Sequence, residues 1–348
     1  AREAAVEPWR KGMAALWWLC GLSVAVAWDK DGHEAIGMTI MSALQHDPVH
    51  EVKRLMHGKD TVDVAAWAHK VNKKYPWTLQ LHFQEGCEEN KCLVQALHHF
   101  YGKLTHKPSA DIDWGSLKLT DADRLKYLIN LMGDLHQPLH VELEGRNASM
   151  FFRGKTMTLF DFWDKELVQA TMQENPSFWW GGWTHVQRIR AQFENDASVW
   201  KEKETEMFTV WADETANFAR RSVYTNPVTG RPLLEHQAAG PVRIDEALFQ
   251  AWKRDMLNRV LLAGARTAIV LNSILQHREA HDLKDGSVLE DEEDKKPRVT
   301  RVSAGLTQSH GHITGIQALG INMSIFVIVL ALFLYVQKIW QGDVAEAD

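Results

Sequence analysis

Cysteine is scarce in this sequence, with three residues in 348. One of them, Cys20, lies in an apolar N-terminal segment, so Cys87 and Cys92 remain as a close pair. A second cysteine pair, which would complete a thiolate zinc site, is lacking. We therefore favour a local disulfide between Cys87 and Cys92, which indicates an oxidising compartment, over a zinc-binding thiol pair.

An excess of positive charge is also lacking. The chain has 39 Lys and Arg residues and 45 Asp and Glu residues, which gives a net charge of −6 at pH 7. This balance excludes a broad basic surface that binds duplex DNA without sequence preference. No internal repeat and no Gly- or Pro-rich break interrupts residues 28–277, which predicts a single domain. Histidine and tryptophan are plentiful, with 17 and 15 residues. So many histidines favour metal binding, although surface and core positions account for most of them.

Long apolar runs occur only near the two ends of the chain. At the N-terminus, Arg10 and Lys11 precede an apolar run at 13–26 and small residues at 25 and 27, which predicts a signal peptide over 1–27. An uncleaved membrane anchor is the alternative. Residues 316–337 reach spanning length and predict one transmembrane helix, followed by a short tail at 338–348; a buried helix is the alternative. These segments predict a single-pass membrane protein of the secretory pathway whose main domain is luminal or extracellular.

Between the ends, apolar residues recur at spacings of three and four, which predicts an all-α domain over 28–278. Thr120 and Asp245 are predicted helix caps. Two β-like pieces, around Val141 and at 151–158, flank a turn at 145–147 and predict a small hairpin. The polar composition of 279–315 predicts a solvated linker. The predicted helices cover 33–44, 92–104, 121–132, 186–200, 206–224 and 247–277.

Three short features suggest metal binding and secretion. In the octapeptide GDLHQPLH at 133–140, Asp134 and His140 stand six positions apart across a proline-broken helix end, where both side chains can face one pocket and hold a metal. Cleavage before Trp28 would free an α-amino group five residues ahead of His33, and an unprotonated amine is a competent zinc donor. Asn147 begins an N-A-S sequon, a glycosylation site if the chain is secreted.

The order of the motifs resembles the zinc-dependent single-strand nucleases of fungi and plants, the nuclease S(1) or P(1) family, which is related to bacterial zinc phospholipase C. The resemblance covers about residues 28–277. It implies one helical domain that holds up to three zinc ions, cleaves single-stranded DNA and RNA, and removes 3′-phosphates from nucleotides. The segments that carry it are WDKDGH at 28–33, AWAH at 66–69, LHF at 81–83, GDLHQPLH at 133–140, FWD at 162–164 and WADE at 211–214.

The resemblance also implies the zinc ligands. For the first ion the set is complete, with Trp28, His33 and Asp134, and Asp134 would bridge to a second ion. For the second ion, His69 replaces a carboxylate that helps to orient the attacking water, and Asn130 replaces a histidine. An amide oxygen is a poor zinc ligand compared with an imidazole nitrogen. The residues assigned to zinc are Trp28, His33, His69, His82, Asp134, His140 and Asp164, and the catalytic ones among them are Asp134 and His69.

At the third ion the sequence departs again, because Phe160 stands where the family has a histidine four residues before Asp164. A phenyl ring has no donor atom, so we expect Phe160 to be a core aromatic residue beside Trp163. Asp161 is adjacent, but one residue along a helix turns a side chain by about 100°. The third ion therefore keeps only His140 and Asp164 of its expected ligands.

On the substrate side, Phe83 matches the family's base-stacking aromatic residue and Glu85 an acid that hydrogen-bonds a nucleobase; simple core packing is the alternative for Phe83. Stacking favours single strands because only unpaired bases expose a face. Asn72 stands where the family has a basic residue, with Lys70 and Lys73 close by.

Three functions follow from these residues and the resemblance. We expect a membrane-anchored zinc hydrolase of single-stranded nucleic acid or 3′-nucleotides, with activity weakened by the lost ligands. The first alternative is a non-catalytic relative that binds a partner. The second is a phosphodiesterase that acts on lipid head groups.

Overall fold

The computed structural model describes most of the chain between Trp28 and Lys284. All described residues belong to the first of two compact units, residues 1–298. The predicted signal peptide, the predicted transmembrane helix with its tail, and all but residues 282–284 of the predicted linker lie outside the described residues. None of the described helices is long and apolar enough to cross a membrane. The described residues are 28–88, 91–109, 111–176, 179, 186–235, 240–276 and 282–284.

The described chain is mostly helical, as predicted, and each of the six predicted helical segments contains a helix. Several further helices between residues 46 and 82 were not predicted. The α-helices are α1 (Lys30–Ala43), α2 (His46–Leu55), α3 (Thr61–Val64), α4 (Trp67–Lys74), α5 (Leu93–Thr105), α6 (Asp121–Leu135), α7 (Pro138–Val141), α8 (Leu159–Asp161), α9 (Leu167–Glu174), α10 (Arg190–Lys203), α11 (Glu206–Phe218) and α12 (Glu246–Leu275). Helical turns of other kinds are the 3₁₀ segments Pro76–His82 and Val186–Ile189 and the π segments Phe162–Glu166 and Ala219–Val223.

The core is organised around α12, which packs along α1. As predicted, Asp245 caps α12, and its carboxylate accepts a hydrogen bond from the Leu248 amide at 2.8 Å. The two helices touch at Gly264, where an added Cβ would lie 2.4 Å from the Cβ of Thr39. A side chain larger than hydrogen does not fit there. This close contact holds α1, which carries His33, against the centre of the domain.

Helix α6 brings the main polar residues into the core. It begins with the predicted cap Thr120, which forms a capping box with Asp123. It ends at Leu135, and α7 begins at Pro138, a residue that fits the first turn of a helix because it needs no N–H there. The chain therefore changes direction between Asp134 and His140, and both side chains are fully buried.

A three-stranded sheet in the order β2-β1-β3 lies beside the helices. Strands β1 (Ser149–Phe152) and β2 (Lys155–Thr158) form an antiparallel hairpin, but not the predicted one, because both strands follow the turn at 145–147 instead of flanking it; β3 (Val242–Arg243) pairs parallel to β1. The prediction of a strand around Val141 is wrong, because Val141 is the last residue of α7, whose first turn is capped by the Gln137 side chain. The turn at 145–147 precedes the hairpin, whose tip is formed by residues 153 and 154 with positive φ angles.

The loop before α5 is closed by a disulfide between Cys87 and Cys92, whose Cα atoms lie 5.4 Å apart. This confirms the disulfide and rules out the zinc-binding thiol pair. At its base, the Leu93 amide donates to the Phe83 carbonyl oxygen at 2.9 Å. The disulfide loop thus holds Phe83 and the exposed Glu85 beside the polar centre of the domain.

Candidate active site

The Trp28 side chain is completely buried, and its indole nitrogen donates to the Gly133 carbonyl oxygen at 3.1 Å. The next residue, Asp29, donates its backbone N–H to the Asp164 carbonyl oxygen at 2.9 Å. The start of the described chain is therefore held between the end of α6 and the π segment Phe162–Glu166, which contains Asp164. This placement brings the main chain of Trp28 to the same region as Asp134.

His33 and Asp134 meet at the centre of the domain. His33 Nε2 lies 3.4 Å from Asp134 Oδ1, and neither side chain is appreciably exposed. A Cβ on Gly133 would lie 2.9 Å from the His33 ring, so this approach requires glycine before Asp134. Two ligand atoms of one tetrahedral zinc, each about 2.0–2.1 Å from the ion, lie roughly 3.3 Å apart. The separation seen here is compatible with that spacing and also with a direct ion-pair contact, and His33 Nε2 lies 3.4 Å from the Asn130 amide nitrogen as well.

The other oxygen of Asp134 is bound differently. His82 Nδ1 lies 2.6 Å from Asp134 Oδ2, and His82 Nε2 lies 3.0 Å from the Asn72 side-chain nitrogen. Because the Asn72 amide nitrogen can only donate, His82 Nε2 accepts and His82 Nδ1 donates its proton to Asp134. Thr78 fixes the Asn72 amide by donating to its oxygen at 2.7 Å. Both nitrogens of His82 are thus used in hydrogen bonds.

His69 and Asn130 lie next to this pair. The rings of His69 and His33 are 5.1 Å apart between centres, and His69 Nε2 is a buried atom without a hydrogen-bond partner. The Asn130 amide nitrogen donates to the Ala65 carbonyl oxygen at 2.7 Å, so the amide is anchored to the backbone. The structure therefore brings His69, His82, Asn130 and Asp134 together but does not arrange them around a second ion.

At the third position, His140 Nε2 lies 4.0 Å from Asp164 Oδ1. Phe160 is buried, with its ring centre 5.3 Å from that of His140. Asp161 does not replace it, because Asp161 is exposed and accepts a 2.7 Å hydrogen bond from Thr158 Oγ1. The core role predicted for Phe160 thus agrees with its position, and the third ion has two candidate side-chain ligands.

Six buried polar atoms of the site residues have no hydrogen-bond partner. In the described part of the chain, no group of three or more His, Cys, Asp and Glu side chains is arranged to hold a metal ion. The residues therefore fit one zinc ion only if the main chain of Trp28 joins His33 and Asp134, and they do not fit a second or a third. The unpartnered atoms are His33 Nδ1, His69 Nε2, Asn130 Oδ1, Asp134 Oδ1, His140 Nε2 and Asp164 Oδ1.

The charges of the site differ sharply between neighbouring groups. Burial alone would raise the pKa of Asp134, but the nearby His82 and His33 outweigh it and hold this pKa below its usual range. Burial raises the pKa of Asp164 well above its usual value, and the negative charges of Asp29 and Asp134 raise it further. At neutral pH the site therefore holds an ionised Asp134.

Two histidines of the site, His69 and His140, favour their neutral forms. Burial lowers the pKa of His140 to about 4. Burial also lowers the pKa of His69 well below its usual value, and the neighbouring His33 lowers it further. Neutral imidazole is the form that binds zinc, so the environment of His69 and His140 favours ligation over protonation.

Phe83, the predicted base-stacking residue, lies at the edge of the site. Its half-buried ring stacks on the His140 ring, with centres 4.4 Å apart and planes 9° apart. The guanidinium of Arg146 lies over the Phe83 ring, 4.9 Å from its centre. The sequence did not identify Arg146 as a site residue, although it lies in the turn noted at 145–147.

His136, which lies between the two motif residues Asp134 and His140, is turned away from the metal position. Its Nδ1 donates to the Met132 carbonyl oxygen at 2.8 Å. Its Nε2 lies 3.3 Å from Arg266, which also donates to Asp196 at 2.7 Å and pairs with Glu214. His136 therefore belongs to a buried ionic cluster and does not replace a lost zinc ligand.

The chain is similar to several known endonucleases. The chain is 23% identical to Endonuclease 1 of Arabidopsis thaliana, in an alignment that covers 75% of this chain and 92% of that protein. It is 24% identical to Endonuclease 4 of the same plant, with 74% and 92% covered. It is 23% identical to Nuclease S1 of Aspergillus oryzae, with 41% and 55% covered. The S1/P1 nuclease family profile matches residues 28–276, which include every residue of the site. The chain belongs to the S1/P1 nuclease family.

Proposed function

We propose that this protein is a zinc-dependent phosphoester hydrolase that cleaves single-stranded nucleic acid and removes 3′-phosphates from nucleotides. The observation that carries the proposal is the pair His33 Nε2 and Asp134 Oδ1, buried 3.4 Å apart at the spacing of two zinc ligands. The main chain of Trp28 is the third donor, freed when the signal peptide is removed. The names of the endonuclease relatives support the reaction class.

Zinc held there would act as a Lewis acid on a phosphoryl oxygen and lower the pKa of a bound water. The protein side chains have separate tasks. Asp134 would hold the ion through Oδ1, and the hydrogen bond from His82 Nδ1 to Oδ2 fixes the carboxylate plane. Asn72 keeps His82 in the tautomer that donates to Asp134. His69 Nε2, buried and unpartnered, would be an acceptor for a proton of such a water.

Substrate selection rests on the disulfide loop. Phe83 supplies an aromatic ring for an unpaired base; His140 stacks on the ring and the Arg146 guanidinium lies over it, so the base would take the place of that guanidinium. The exposed Glu85 is two residues further on the same loop. A base in a duplex has no free face for this ring. We therefore expect single strands to be cleaved in preference to duplexes.

We also propose that the protein passes through the secretory pathway and stays attached to a membrane. The disulfide fits an oxidising compartment, and Asn147 of the sequon is exposed in a turn. The signal peptide at 1–27 and the membrane helix at 316–337 are sequence predictions. Together they support a luminal or extracellular location for residues 28–278, where Asn147 would be glycosylated.

A second candidate function is binding without hydrolysis. Asn130 is anchored to the Ala65 carbonyl oxygen, and Phe160 has no donor atom, so two of the three ions expected for the family lack a complete ligand set. Losing one ion removes several kcal/mol of transition-state stabilisation, by analogy with other electrostatic groups at about 3–4 kcal/mol each. The activity of a one-zinc centre is accordingly expected to be low.

The test measures zinc per molecule and hydrolysis on the full chain with its natural N-terminus. The substrates are a labelled single-stranded oligonucleotide, the matching duplex, thymidine 3′-phosphate and phosphatidylcholine vesicles. We expect one zinc per molecule and cleavage of the single strand and the nucleotide, both lost in the isosteric variant Asp134→Asn. A protein that binds no zinc and cleaves nothing would be the non-catalytic relative. Hydrolysis of the phospholipid alone would identify the lipid head-group enzyme.

A further inference from the structure

Arg146 lies beside the position at which the third ion is missing. Its guanidinium carbon lies 4.9 Å from the centre of the Phe83 ring and 5.5 Å from that of Phe160. The charge also lies near enough to His140 to contribute to the low pKa of that ring. A positive charge thus occupies the corner of the site formed by Phe83, Phe160 and His140.

The local backbone fixes Arg146 in this place. The Phe160 amide donates to the Arg146 carbonyl oxygen at 2.9 Å, which ties the turn to the residue under the guanidinium. Gly145 adopts a left-handed conformation with φ of 81°, and a Cβ there would lie 3.0 Å from Leu234 and 3.2 Å from the Tyr224 ring. The turn needs glycine at 145, and it directs the next side chain over the two aromatic rings.

The guanidinium has no anionic partner among the described residues. Several other arginines pair with a carboxylate, such as Arg153 with Glu174 at 2.7 Å and Arg190 with Glu194 at 2.7 Å. Arg146 is half-buried, and its burial lowers its pKa, with no nearby carboxylate to oppose the shift. Its planar N–H donors therefore remain available to a ligand.

We propose that Arg146 is the phosphate-binding residue of this protein and supplies the positive charge that the third metal ion would bring. A guanidinium is always charged and matches two phosphate oxygens at once. The partly desolvated position strengthens that attraction. The ligand class is a phosphate group of a nucleotide or a nucleic acid strand, a choice that rests on the proposed function; the phosphate binding itself does not require hydrolysis.

The test is the affinity of the full chain for inorganic phosphate and for thymidine, neither of which is hydrolysed, measured by NMR titration. We expect Arg146→Gln to weaken phosphate binding by about tenfold or more, as for other charge-assisted contacts, and to leave thymidine binding unchanged. Arg146→Lys keeps the charge but loses the paired contact. Its phosphate affinity should lie between those of Arg146→Gln and the unmodified protein. The matched control is Arg243→Gln, because Arg243 also lies 4.9 Å over a phenylalanine ring, that of Phe151 in the sheet, and is exposed.

Two results would overturn the proposal. The first is an unchanged phosphate affinity in Arg146→Gln. The second is an equal loss of phosphate and thymidine affinity, which would make Arg146 only a support for the Phe83 ring. Hydrolysis is assayed separately on the single-stranded oligonucleotide. If phosphate binding depends on Arg146 and nothing is cleaved, the inference stands and the hydrolase proposal fails. If strands are cleaved and Arg146→Gln binds phosphate normally, the hydrolase proposal stands and the inference fails.

Discussion

The residue Phe160, which stands where the resemblance implies a zinc-binding histidine, offers a direct experiment, the substitution Phe160→His. The ring centres of Phe160 and His140 lie 5.3 Å apart. Two imidazoles on one tetrahedral zinc, with Zn–N bonds of about 2.0–2.1 Å, have ring centres roughly 5 Å apart. The two rings are thus already at the right separation, and Asp164 Oδ1 lies 4.0 Å from His140 Nε2. One substitution should therefore create a zinc site.

The expected change in stability has two parts: the stability lost with the Phe160 ring, and the stability gained when zinc binds. Burying a phenyl ring stabilises the folded state by about 1.5–3 kcal/mol, and an imidazole in its place retains only part of this. The buried polar ring adds a further cost, so the metal-free variant should be less stable by about 2–4 kcal/mol. Free zinc at about 100 times its dissociation constant stabilises the folded state by about 2.7 kcal/mol. In a domain of this size that raises the Tm by roughly 5–10 °C.

The assay compares zinc per molecule and Tm over a series of buffered free zinc concentrations. Phe160→His should bind one more zinc than the unmodified protein, whereas the control Phe160→Leu, which offers no donor, should bind no more. Because Arg146 lies 5.5 Å from the Phe160 ring, its charge opposes the new ion. The double variant Phe160→His with Arg146→Gln should bind the added zinc more tightly. Equal zinc content in Phe160→His and Phe160→Leu would refute the idea that His140 and Asp164 form an incomplete metal site.

Three further predictions concern processing, packing and pH. Ala27→Leu, which should block cleavage before Trp28, is expected to abolish zinc binding, and unchanged zinc content in the uncleaved protein would rule out the N-terminal ligand. Gly264→Ala should reduce the free energy of unfolding by about 1–3 kcal/mol in denaturant titrations, because the added Cβ meets Thr39 at 2.4 Å; an unchanged value would contradict this contact. Burial lowers the pKa of His98, so below pH of about 6.5 the unfolded chain takes up the proton first and stability falls as pH falls. His98→Gln should therefore lose less stability than the unmodified protein between pH 7.5 and 5.5, and equal losses would show that His98 has no part in the acid sensitivity.

Local features of the fold were accessible from the sequence. The caps Thr120 and Asp245 act on residues within three positions of themselves, so their hydrogen bonds depend little on the rest of the chain. The same holds for the disulfide, whose two cysteines are five residues apart. The strand predicted around Val141 was wrong because a short apolar stretch fits either a strand or a helical turn, and Pro138 with the Gln137 cap decided for the helix.

The sequence by itself determined the helical framework, the family motifs and the residue types that are missing from the metal centre. Only the tertiary structure decided which contacts the polar residues that are present make with one another. His82 binds Asn72 and Asp134 at once, and Arg146 lies over Phe83, 63 positions away in the chain. Such contacts follow from the packing of α6, the disulfide loop and the turn before the hairpin. A sequence pattern records the spacing of residues along the chain, whereas a metal or phosphate site depends on distances between side chains that only packing brings together.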